Sequence, residues 1–160
     1  HIDPLGFIML FIAGFGWAKP VQFNESNLKN PGVDVIKIAV AGPFSNALTA
    51  MFLSLTYAAL LDWGININGI WAELFIYAIF INWGLFVFNL IPQPPLDGSH
   101  ILFSWFRKYP VIYQTIYRYG TLLLFGLLIL TFTTGRNLLP IWPLIELIGG
   151  GFLRFLGYNI

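Results

Sequence analysis

One carboxylate stands out in this chain by where it sits. From Leu74 to Phe106, Asp97 is the only Asp, Glu, Lys or Arg. It closes the stretch Asn89-Leu90-Ile91-Pro92-Gln93-Pro94-Pro95-Leu96-Asp97-Gly98, in which three prolines break a long apolar run. An ionisable group at membrane depth is costly and reads by default as functional. It needs a cation, a proton or a donor network, and a metal ion suits a carboxylate best. If a helix starts here, Asp97 can equally serve as its N-cap. Residue type and spacing leave both roles open.

Two asparagines and two histidines are the other groups with chemistry to offer. Asn46 lies on a stripe of small residues, Gly42, Ala50, Ser54 and Ala58, repeating every four positions. Such stripes let membrane helices approach closely, and Asn46 can then serve packing or face a site. Asn89 and Asn82 are seven residues apart and share a helix face. Asn82 reads as part of a polar seam between helices. His100 follows Asp97 by three and shares its face on a helix, but a polar residue there more often bonds a neighbouring helix than a metal. His1 is a weaker candidate still. Trp142, Phe152 and Phe155 read as interface anchors rather than a ligand box.

The elements that position these groups belong to a membrane. The chain is 58% hydrophobic and 9% charged, against about 25% charged in an ordinary soluble domain. Eight Lys and Arg nearly balance seven Asp and Glu, so no basic face is available for nucleic acid. There is no cysteine, which removes disulfides and thiolate chemistry.

A bilayer-spanning helix needs about 20 apolar residues. The apolar runs predict helices at 38–61 and 69–91, and a third at 111–134 with Arg118 snorkelling. Residues 1–37 read as a re-entrant hairpin and loop, and 92–106 as a proline-rich break leading into an Asp-Gly helix. Residues 141–160, interrupted by Pro143 and three successive glycines, read as interfacial or folded back. The expectation is a single all-α membrane-embedded domain over 1–160. It has about three to four transmembrane helices, a re-entrant N-terminal segment and a proline-broken segment carrying the Asp-Gly motif. Lys19, Lys29 and Lys37 precede the first helix, and Arg107, Lys108 and Arg118 follow the second. Basic loops stay in the cytoplasm, which places Asp97 toward the cytoplasmic side of the inner membrane.

Asn89 to Gly98 resembles the site-2 protease family of intramembrane zinc metalloproteases at every fixed position of its Asn-x-x-Pro-x-Pro-x-Leu-Asp-Gly motif. Gly42 to Asn46 is similar to that family's Gly-x-x-x-Asn. The opening His1 to Gly6 and the segment Gly14 to Pro20 look like bacterial members. The resemblance implies one zinc ion with Asp97 as a ligand, and Asn46 and Asn89 holding an unwound substrate strand. It also implies a transmembrane protein as substrate. The family's His-Glu-x-x-His, which supplies two further ligands and the general base, occurs nowhere in these residues and is expected upstream of them. On that expectation the chain contains no catalytic residue of its own and is inactive alone. The function implied is that of the C-terminal, larger part of an intramembrane zinc metalloprotease acting in regulated intramembrane proteolysis. The alternative is a non-catalytic membrane protein that binds transmembrane segments.

Overall fold

A computed structural model describes Pro4 and residues 28–101, 109–136, 138 and 141–158. The chain divides into two units, His1–Pro31 and Gly32–Ile160, and the second holds nearly all that is described. The expected re-entrant hairpin and most of the helix after Gly98 lie outside the described residues. Among the described residues all regular structure is helical.

Helix α1 runs Pro31–Asp62. Its start is a full two turns before the apolar run at 38. Pro31 suits a first helical position because its fixed φ is pre-organised and its missing N–H would be unpaired anyway. Asp34 and Lys37 then pair at 3.3 Å on the exposed side of the opening turns. At 1.5 Å per residue the helix is about 48 Å long. That exceeds the ~30 Å hydrocarbon core, so polar opening turns extend beyond it. Pro43 sits inside the helix, fully buried. It removes the N–H that Ala39 would otherwise receive.

The helix ends at a glycine. The Gly64 N–H donates to the Leu61 carbonyl at 2.9 Å, and the Ile65 N–H to that of Leu60 at 3.0 Å. This Schellman arrangement needs a left-handed residue, and Gly64 has φ 74°. A short link then leads to α2, Ile70–Leu90. Helix α3 spans Pro110–Thr134. The C-terminal segment comprises α4 (Ile141–Ile145), one π-helical turn (Glu146–Gly150) and α5 (Gly151–Phe155).

The core joins three elements. Ala47, Ala50 and Tyr57 of α1 meet Ile79, Trp83 and Val87 of α2 and Ile145 and Leu153 of the C-terminal segment. In a bilayer, helices gain little from burying apolar surface against each other, so close approach through small residues matters more. Gly84 and Gly149 provide it. A Cβ on Gly84 would stand 3.3 Å from Ile145 Cδ1, and one on Gly149 only 2.8 Å from the Trp83 ring. The last described residue of the segment is tied to α1, where the Tyr158 hydroxyl donates to Asp62 Oδ1 at 2.6 Å. Residues 141–158 therefore fold back on the bundle, one of the two arrangements their composition allows.

Large apolar side chains point outward as well as inward. Leu48, Phe52 and Leu55 of α1 and Leu74, Ile81 and Leu85 of α2 are exposed. A soluble core helix would bury such residues, whereas lipid leaves them in a compatible solvent. Among the described residues α1 and α2 are long and apolar enough to cross a bilayer. The chain is an all-α membrane protein.

Candidate functional site

The site begins where α2 is forced to stop. Pro92 disfavours helical geometry in the residue before it. Ile91 accordingly adopts φ −60° and ψ 127°, an extended conformation. Tight turns follow. The Gln93 N–H donates to the Ile91 carbonyl at 2.7 Å, and the Leu96 N–H to the Gln93 carbonyl at 2.9 Å. The Pro94–Pro95 peptide is cis. Pro94, Leu96, Gly98 and Ser99 are all buried. Irregular backbone is tolerated at membrane depth only inside protein or along a cavity, and these four residues meet that condition, whereas Pro92 and Pro95 are exposed.

Gly98 brings the turn back onto the end of α2. A Cβ here would collide with the Leu90 carbonyl oxygen and lie 2.6 Å from that of Ile91. Any larger residue would push Asp97 away from the helix. The requirement is one of space, since the φ of Gly98 is not positive.

Asp97 is half-buried and faces α1. A Cβ on Gly42 would stand 3.0 Å from its Oδ2, so the carboxylate rests against the helix where it lacks a side chain. Two segments more than fifty residues apart in sequence thereby meet. The capping role does not materialise. The Ser99 and His100 N–H groups donate to the backbone carbonyls of Leu96 and Asp97, each at 3.0 Å. Among the described residues no donor satisfies the carboxylate.

The asparagines separate into two kinds. Asn82 Nδ2 donates to the Ala78 carbonyl of its own helix at 2.8 Å. Its amide is thus partly satisfied within α2. Asn46 and Asn89 are half-buried, and neither amide has a hydrogen bond among the described residues. Asn46 lies one turn beyond Gly42 on the same face, and Asn89 in the last turn of α2 next to the carbonyls that Gly98 touches. Between the end of α2 and the C-terminal segment opens an apolar groove of 260 Å³, lined by Phe86, Val87, Leu90, Ile91, Leu144 and Ile148.

His100 adjoins Asp97 without a side-chain hydrogen bond to it, and His1 lies outside the described residues. No group of three or more metal-ligating side chains occurs among the described residues. One contact escapes the sequence reading altogether. Gly120 of α3 receives Gln93, whose Nε2 would stand 2.5 Å from a Cβ at that position. A lone glycine within a helical pattern is the one available signal, and it does not name its partner.

Residues 64–131, which include this turn, match Peptidase family M50. The match covers less than half of the chain. Over 106 residues, 64% of the chain, it is 35% identical to the "Putative zinc metalloprotease YwhC" of Bacillus subtilis (strain 168). Those residues cover 48% of that relative, so the chain spans about half the length of the curated relative it matches. No solved structure matches it significantly. The M50 match encloses Asp97 and Asn89, while Asn46 precedes it.

Proposed function

We propose that this chain is part of an intramembrane zinc metalloprotease and that Asp97 is one of the zinc ligands. The observation that carries the reading is the carboxylate placed against Gly42, half-buried and without a donor among the described residues. A buried acceptor left unmatched is unfavourable, and a cation removes the cost. A hard oxygen donor on a fixed turn suits zinc, for which carboxylate is an ordinary ligand. The match of residues 64–131 to Peptidase family M50 supports the same assignment. By the site-2 resemblance, a His-Glu-x-x-His helix outside the chain supplies the remaining ligands and the general base.

The chemistry zinc supplies when bound is polarisation of a carbonyl and acidification of water. The chain's own residues provide the rest. A transmembrane helix must unwind before a protease can reach its backbone. Each N–H and C=O so exposed costs several kcal/mol if left unpaired in the bilayer. The Asn46 and Asn89 amides carry both donors and acceptors and bracket the Asp97 turn from two helices. They can hold an extended strand beside the carboxylate. The substrate class is therefore a transmembrane protein segment, cleaved in regulated intramembrane proteolysis. The basic loops Lys19 to Lys37 and Arg107 to Arg118 support a cytoplasmic, inner-membrane side for Asp97 in this reading.

The test is cleavage of a reporter bearing a transmembrane segment by the full-length protein in proteoliposomes. Wild type cuts and Asp97→Ala does not. Cutting by Asp97→Ala at the wild-type rate rejects the assignment.

A further inference from the structure

We propose that Gln93 is a positioning residue, seated against Gly120 so that α3 sets where the Asp97 turn lies. The proposal rests on the ligand role given to Asp97 above. Three observations converge on it. First, α3 has its glycine where the turn touches it. A Cβ on Gly120 would lie 2.5 Å from Gln93 Nε2 and 3.3 Å from Pro94 Cδ, whereas one on Gly126, on the same helix, would meet nothing within 4 Å. Second, Gln93 Nε2 is buried and without an acceptor among the described residues. An amide held in so poor a setting is not kept for its own hydrogen bonding. Its seat in the packing is what remains to be explained.

Third, the link from Gln93 to Asp97 is stiff. The Gln93 backbone donates to Ile91 and accepts from Leu96, so it belongs to both consecutive turns. Between them stand Pro94 and Pro95, whose rings fix φ at two of the three intervening residues. A push on Gln93 cannot be absorbed by those torsions and passes to Leu96 and then Asp97. The far end of the turn is already fixed by Gly98 against the α2 carbonyls. The ligand loop is thus gripped from α2 at one end and from α3 at the other.

The experiment measures zinc affinity of the full-length protein by chelator competition, with thermal unfolding in the same detergent. Gly120→Leu is expected to weaken zinc binding about 10–100-fold, the range for residues that orient a metal ligand from behind. Gly126→Leu is expected to leave it unchanged. Gly120→Leu combined with Gln93→Ala restores space and returns affinity toward wild type, a coupling that general damage to α3 would not produce. If Gly120→Leu lacks an unfolding transition, Gln93→Ala carries the test and weakens zinc severalfold while the protein stays folded.

Wild-type affinity in Gly120→Leu, or in a folded Gln93→Ala, overturns the proposal. So does a double variant no better than Gly120→Leu. Asp97→Ala, measured alongside, separates the two levels. If it loses zinc while the Gly120 and Gln93 variants do not, the positioning role alone fails. If it binds zinc like wild type, the ligand reading fails and the positioning role falls with it.

Discussion

Replacing Gly98 by alanine asks how tightly the turn is held. The added carbon would collide with the Leu90 carbonyl oxygen and lie 2.6 Å from the Ile91 oxygen. Carbon–oxygen contacts settle at about 3.3–3.6 Å, so the turn must retreat by about 0.7 Å or more. The obstacles are backbone atoms at a helix end and cannot rotate aside. Overpacking of this kind costs about 1–3 kcal/mol of stability. Its effect on chemistry is larger, because a reacting group misplaced by about 1 Å loses on the order of 100-fold in rate. The assay is reporter cleavage by full-length Gly98→Ala in proteoliposomes, with zinc content and unfolding temperature measured on the same preparation. The expected result is a folded, somewhat destabilised protein with turnover down by about two orders of magnitude. Gly126→Ala is the control: its Cβ meets nothing within 4 Å, and alanine in a helix gains about 0.5–1 kcal/mol over glycine. Wild-type turnover in Gly98→Ala refutes the claim that contact with α2 places Asp97.

Other outcomes follow from the same geometry. Asn46→Ala and Asn89→Ala should raise KM or lower kcat by about tenfold each, the worth of roughly one hydrogen bond, without changing the unfolding temperature. Asn82→Ala, which loses only a bond to its own helix, should leave kinetics unaltered; enzyme kinetics on the three variants decides. Gly149→Ala presses on the Trp83 ring and should lower stability by about 1–3 kcal/mol, measured by thermal unfolding in detergent, while Gly151→Ala, which meets nothing within 4 Å, should not. Tyr158→Phe removes the hydrogen bond to Asp62 and should lower the unfolding temperature and speed proteolysis at the C-terminal end.

The proline-broken turn was the most legible part of this chain, because its cause is local. Pro92 dictates an extended Ile91, and the apolar surroundings make one carboxylate conspicuous. The small-residue stripe of α1 was half legible. Ala50, Ser54 and Ala58 do line the buried face, but toward the N-terminus that face passes through Pro43 and Ala47. This rotation turns Gly42 toward Asp97. The opening of α1 was hidden because Asp34 and Lys37 lower hydropathy without opposing a helix. The fold-back of 141–158 depends on Gly84 and Gly149 meeting side chains from distant parts of the chain. The same holds for Gln93 and Gly120. Long-range contacts leave no period in a sequence, so these partners become visible only once the helices are in place.

The most direct test of Asp97 as a zinc ligand is the zinc stoichiometry of the full-length protein, wild type and Asp97→Ala, purified in parallel and dialysed against one buffered free-zinc concentration. One zinc per wild-type chain and little or none in Asp97→Ala, with both proteins folded, is the expected result. Equal zinc in the two, or none in an active wild type, contradicts it.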